Sequence, residues 1–137
     1  MTQPTQEELK ELIELYQSGK LDEAEIEVQK LLKQFPNDLT CLNILGVITD
    51  RKGQTEQAIK IYQKALQINE NSAETHFNIG SILHRLGRSN EARISYEKAI
   101  TIKPDFLNAY FNLGLVYQNL QSYKEAIENY QKAIKLK

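Results

Sequence analysis

Apolar side chains recur along this chain at the three-to-four-residue interval of an amphipathic helix, and the recurrence breaks off at regular places. Over residues 73–102 the pattern runs through Phe77, Ile79, Ile82, Leu83 and Leu86, stops at Gly87, and resumes at Ala92, Ile94, Tyr96, Ala99, Ile100 and Ile102. Gly19 and Gly53 mark the same interruption in earlier segments, where glycine can take the left-handed conformation that ends a helix. Pro36 and Pro104 close two of the intervening runs. Thr5 with Glu8, and Ser122 with Glu125, read as capping boxes, while Asp38 and Ser72 stand where other helices should begin. The pattern predicts eight helices, near 5–18, 21–34, 39–52, 55–68, 73–86, 89–102, 107–120 and 123–136.

A second, longer period overlies the first. Gly46, Gly80 and Gly114 stand 34 residues apart, and Ala58, Ala92 and Ala126, Tyr62, Tyr96 and Tyr130, and Ala65, Ala99 and Ala133 keep the same spacing. A fixed period of this length marks a solenoid, in which each unit buries its apolar face only by stacking on the next. The three glycines lie mid-helix, where each costs about 1 kcal/mol relative to alanine. A repeated cost needs a repeated cause. The expectation is a paired helix crossing so closely that no Cβ fits, with the alanine column facing the glycines and the tyrosines filling the space beside them.

Composition narrows the function. The chain has 137 residues, 41% of them hydrophobic, enough for the core of one domain. Its 17 basic and 18 acidic residues nearly cancel, and Arg51, Arg85, Arg88 and Arg93 are scattered among acids, which excludes a dedicated nucleic-acid binder. No stretch has the apolar length of a membrane span. Met1-Thr2-Gln3-Pro4 leads directly into an acidic segment without the basic and apolar regions of a signal peptide, so a cytoplasmic location is expected.

Several columns together carry a family resemblance. Gly114 with Tyr117, then Ala126, Tyr130 and Ala133, and the closing Pro104 resemble the tetratricopeptide repeat (TPR). Three units, 39–72, 73–106 and 107–137, fit the pattern, and a fourth, 5–38, fits in its second half through Ala24, Leu31 and Pro36, with Leu12 in place of the glycine. The resemblance implies an all-α, right-handed superhelical solenoid of antiparallel helix pairs, forming a single domain over 1–137. It implies a non-catalytic scaffold whose concave groove, lined by the first helix of each unit, binds a protein or peptide partner. The groove positions so implied include Asn43 and Arg51, Phe77, Asn78 and Arg85, and Asn108, Phe111 and Asn112. An asparagine amide both donates and accepts, so the row of Asn78 and Asn112 could pair with the backbone of an extended peptide, flanked by apolar pockets at Phe77 and Phe111. The alternative is that these asparagines bond the neighbouring helix and the phenylalanines pack between repeats. The cationic clamp that some TPR domains use for a terminal carboxylate is missing, because its basic positions hold Asn43, Asn108 and Asn112 in one register and Leu9, Glu74 and Asn78 in the other.

Other chemistry adds little. His76 and His84 are eight residues apart on one helix, too far to share a metal, and neither a metal nor any other cofactor is expected. Cys41, the one cysteine, falls on the apolar side of a helix and reads as a structural thiol. The first helix carries Glu7, Glu8, Lys10, Glu11 and Glu14, the wet outer face that a terminal repeat needs. The last helix, with Ile127, Tyr130, Ile134 and Leu136, has no such cover. That end predicts either a fragment of a longer protein or a homo-oligomer formed through the uncapped helix. The run from Leu12 to Ala24 resembles N-terminal TPR units that precede bacterial glycosyl-, sulfo- or methyltransferase domains, so an adaptor of a larger enzyme is the alternative function.

Overall fold

A computed structural model describes residues 2–137. Eight helices follow one another among the described residues: α1 (Gln6–Gln17), α2 (Leu21–Gln34), α3 (Leu39–Arg51), α4 (Thr55–Ile68), α5 (Ala73–Arg85), α6 (Ser89–Ile102), α7 (Leu107–Asn119) and α8 (Tyr123–Lys135). No strand occurs among the described residues. The helices fall into two compact units, α1–α4 ending at Glu70 and α5–α8 from Asn71 to Lys137. The protein is an all-α helical repeat solenoid, and its elements lie within a residue or so of those the apolar pattern predicts.

Two kinds of helix start alternate from α1 to α6, and α7 begins after Phe106 with no side-chain cap. At α1, α3 and α5 the side chain of the preceding residue caps the helix: Thr5 accepts from the Glu8 amide at 3.1 Å, Asp38 from the Cys41 amide at 2.9 Å and Ser72 from the Thr75 amide at 3.4 Å. Glu8 returns the bond, its carboxylate accepting from the Thr5 amide at 2.8 Å, so the first capping box forms. The expected second box does not. Ser122 has ψ near 71° and its side chain bonds no helix amide. The backbone of the preceding turn explains this. Gln121 has φ 60°, and the Ser122 amide donates back to the Tyr117 carbonyl at 2.8 Å. Lys20, Gln54 and Arg88 close the same way, on Leu15, Thr49 and Leu83 at 2.9–3.1 Å, after Gly19, Gly53 and Gly87 with φ of 77–85°. The helix-ending turn thus sets the start of the next helix, and a capping side chain has no role there.

The cores of both units repeat one contact. A Cβ on Gly80 would lie 2.8 Å from the Tyr96 ring and one on Gly114 would lie 2.5 Å from the Tyr130 ring; on Gly46 it would meet the Tyr62 ring. The expectation of a crossing helix backbone is therefore corrected: the tyrosine ring itself fills the space. Ala58, Ala92 and Ala126 are buried as expected. In the first repeat the pair is exchanged. Leu12 stands in the glycine column and Val28 in the tyrosine column, both fully buried in one cluster. A larger side chain on one helix is matched by a smaller one on the other, which keeps the interior filled.

Candidate functional site

The eight sequence-derived groove residues divide between the units. Asn43 and Arg51 lie on α3; Phe77, Asn78 and Arg85 lie on α5, and Asn108, Phe111 and Asn112 on α7. In the first unit the two residues have different fates. Asn43 is only 7% exposed, and its Nδ2 donates to the Leu39 carbonyl at 3.0 Å, one turn earlier on its own helix. That burial leaves its amide with little to offer a partner. Arg51 is exposed, with its guanidinium carbon 4.7 Å from the centre of the Tyr16 ring, an arrangement that holds a long side chain by cation–π attraction.

The second unit gathers more. On α7, Asn108, Phe111, Asn112 and Leu115 recur at helical spacing and share one side. Phe111 keeps 48% of its surface exposed while its ring sits 5.8 Å from that of Tyr130. Asn108 is exposed and Asn112 half-buried. Asn112 Nδ2 donates to the Tyr96 hydroxyl at 3.4 Å, that hydroxyl donates to Ser81 Oγ at 3.2 Å, and Ser81 donates to the Phe77 carbonyl at 3.1 Å. The chain of bonds joins α7, α6 and α5 and fixes which way the Asn112 amide points. Tyr96 thus fills a core space with its ring and orients a surface residue with its hydroxyl. Its place in the repeat suggested only the first.

On α5 the arrangement is more structural. Phe77 is half-buried, 4.8 Å from the Phe106 ring and 5.6 Å from the Tyr96 ring, so it packs between helices rather than lining an open pocket. Asn78 is half-buried and Arg85 exposed beyond it. His84 Nε2 lies 2.9 Å from Asn119 Nδ2, a further tie between α5 and α7. Sequence reasoning missed this pair because His84 and Asn119 are 35 residues apart and fall in no shared column.

Three further sets of titratable groups make structural contacts. Burial, aided by Asp38, pushes the Cys41 thiol up to about 12, which leaves it a neutral, unreactive core group near neutral pH. Lys52 pairs with Asp22 at 2.7 Å and Glu25 at 2.6 Å, and the bonds hold the Asp22 carboxyl below its ordinary range. Tyr117 donates to Glu97 at 2.8 Å, and Glu97 in turn pairs with Arg93 at 3.2 Å, joining α6 to α7. Among the described residues no three His, Cys, Asp or Glu side chains cluster as metal ligands, and no helix is long and apolar enough to cross a membrane.

The class defined by this geometry is a helical repeat scaffold. Residues 51–87 and 80–121 match a TPR repeat model, and residues 107–137 match a tetratricopeptide repeat model. The chain belongs to the tetratricopeptide repeat family, whose members bind protein partners and are as a rule non-catalytic. By sequence, no curated protein matches it. Among solved structures it is similar to a crystal structure of MamA, at 30% identity over 90% of this chain and 72% of that one, with a TM-score of 0.74. It also resembles pilF of Pseudomonas aeruginosa, at 24% identity over 94% of this chain and 59% of that one, with a TM-score of 0.85. A third is MamA of Desulfovibrio magneticus RS-1, residues 41 to the end, at 19% identity over 94% and 73% of the two chains and a TM-score of 0.76. The last two likenesses bear on fold alone.

Proposed function

We propose that this protein is a non-catalytic interaction module that binds an extended segment of a partner protein along the side of α7 bearing Asn108, Phe111 and Asn112, with Asn78 and Arg85 of α5 extending the surface. The observation that carries the reading is the oriented Asn112 amide beside a half-exposed phenylalanine. With one N–H held by Tyr96, the Asn112 carbonyl and second N–H remain to pair with a peptide backbone, and Phe111 supplies an apolar contact for one side chain. Asn108, one turn earlier, adds a second amide at the repeat of an extended chain. Phe77 and Asn43 take packing roles in this reading, and Arg51 is a separate exposed cation of the first unit.

A peptide library displayed on phage and selected against the whole chain tests this. Peptides enriched on the wild type should lose about tenfold or more in affinity for Phe111→Ala combined with Asn112→Ala, since each contact of this kind contributes about 1 kcal/mol. Equal binding by the double variant would remove the α7 face from the account. We also read the module as cytoplasmic, supported by its one unpaired, buried thiol. A fused reporter that is active only in the cytoplasm should be active, and silence would place the module elsewhere.

A further inference from the structure

The side of α7 assigned above to a partner differs from its counterparts in one respect: it has no charge. Asn108, Asn112, Leu115 and Asn119 stand at intervals of four, three and four residues and form one strip, about 16 Å long. The same positions on α5 are Glu74, Asn78, Ser81 and Arg85, and on α3 they are Thr40, Ile44, Val47 and Arg51. In all three strips the outer two residues are exposed and the middle two half-buried. The α5 strip keeps this exposure although Asn119 of α7 bonds the adjacent His84, so the openness belongs to the repeat and not to the place of α7 in the chain. What changes is the chemistry. Where α5 carries Glu74 and Arg85, α7 carries Asn108 and Asn119. None of the 13 residues of α7 is charged, in a chain of which 26% is, and every other described helix carries charges of both signs.

We propose that the partner segment is uncharged where it lies along α7. Over about five residues, the length of extended chain that spans the strip, it presents neutral polar or apolar side chains and no Lys, Arg, Asp or Glu. This deepens the reading of α7 as the binding face and rests on it. A charged side chain pressed on the strip gives up water and meets no opposite charge there. The amides do not offset the loss. Asn112 is tied to the Tyr96 hydroxyl at 3.4 Å and Asn119 to His84 at 2.9 Å, so neither turns freely to solvate an ion of either sign. Leu115 between them offers only apolar surface. A neutral segment gives up less water, and its backbone groups pair with the amides whatever its side chains. The strip thus selects by exclusion, rejecting charge while leaving the choice among neutral residues open.

Random peptides of about twelve residues, displayed on phage and selected against the whole chain, read the preference directly. Among the enriched sequences, a run of about five positions should hold Asp, Glu, Lys and Arg at about one third or less of their frequency in the unselected library. Selection on two variants of the exposed Asn108 gives the sign. Asn108→Glu should readmit Lys and Arg within that run by about threefold or more, and Asn108→Lys should readmit Asp and Glu by about as much, with unchanged circular dichroism. Three results would overturn the inference: charged residues at library frequency throughout the wild-type pool, one sign enriched on the wild type at positions that respond to Asn108, or identical pools from all three proteins. Binding that still depended on Phe111 and Asn112 would then leave the interaction reading standing. Selection of no peptide at all would overturn both.

Discussion

The ring of Tyr96 occupies the space into which a side chain at position 80 would grow, with Cε1 2.8 Å from where the Cβ of an alanine would stand. Tyr96 is fully buried and held by Ser81 and Asn112, so the ring has no free direction in which to move. Gly80→Ala should therefore destabilise the protein by about 1–3 kcal/mol, as other overpacked cores do. Tyr96→Ala should cost about 3–5 kcal/mol through the cavity it leaves. With the ring gone, Gly80→Ala should become neutral or stabilising by up to about 1 kcal/mol, because alanine is the better helix former. Urea denaturation of the four proteins in the cycle measures this change of sign. An equal cost in both backgrounds would mean that the ring is not what the glycine accommodates.

Gln121 offers a stabilising change. Its φ of 60° places a residue with a Cβ where Gly19, Gly53 and Gly87 stand in the other repeats. The left-handed conformation costs such a residue about 1–2 kcal/mol, and glycine recovers most of that less its greater freedom in the unfolded chain. Gln121→Gly should raise stability by about 0.5–1 kcal/mol. Gly87→Ala should lower it by a similar amount even though nothing lies within 4 Å of the added carbon. If Gly87→Ala leaves the thermal midpoint unmoved, backbone conformation is not what reserves these turns for glycine.

The two candidate capping boxes should respond differently. Thr5→Ala removes the hydroxyl that accepts from the Glu8 amide, while the Thr5 amide keeps its bond to the Glu8 carboxylate, and should cost about 1 kcal/mol. Ser122→Ala removes no cap bond and should stay within about 0.5 kcal/mol of the wild type. Chemical denaturation distinguishes the two, and a loss at Ser122 as large as that at Thr5 would contradict the turn-based account of α8.

The difference between those boxes shows how much of the fold the sequence carries. The glycine column, the helix ends and the eight helices are all legible, because each rests on a local rule repeated in register. Ser122 and Glu125 satisfy the same composition rule as Thr5 and Glu8, yet the φ of Gln121 decides the outcome, and a glutamine does not announce a left-handed backbone. Leu12 is visible as an exception to the glycine column. Its counterpart Val28 becomes meaningful only when the two side chains meet in one cluster. The site is less legible than the fold. Groove positions predict which side of α5 and α7 is in play, but not that Asn43 is buried, that Phe77 is wedged against Phe106, or that the Tyr96 hydroxyl steers Asn112. Those outcomes depend on contacts between helices, and one-residue columns do not encode them.

Stability at high pH should report the buried tyrosine hydroxyls. Burial raises the Tyr96 hydroxyl above its ordinary value of 10.0, and burial together with Glu97 raises Tyr117. In the unfolded chain these groups lose their protons near pH 10, while the folded protein keeps them. The unfolded state therefore binds fewer protons above that pH, and stability falls as pH rises; below it the contribution is constant. Urea midpoints measured from about pH 8 to about pH 11 should decline at the upper end, and less steeply for Tyr96→Phe. An unchanged slope in that variant would show that Tyr96 is not among the groups responsible.

The same substitution separates the two roles of Tyr96. Tyr96→Phe keeps the ring against Gly80 and removes the hydroxyl that holds Asn112. Peptides selected on the wild type should bind it about three- to tenfold more weakly, with the helical content unchanged. Undiminished affinity would leave Asn112 as a contact that needs no orientation.

The glycine–tyrosine contact also bears on how the chain comes to be folded. Each tyrosine stands sixteen residues after its glycine, so closing a helix pair requires only a short loop and no help from distant sequence. Contacts this local favour rapid folding and let a pair form while later repeats are still being synthesised. Emergence of Tyr62, then Tyr96, then Tyr130 from the ribosome would mark three successive moments at which a pair can lock.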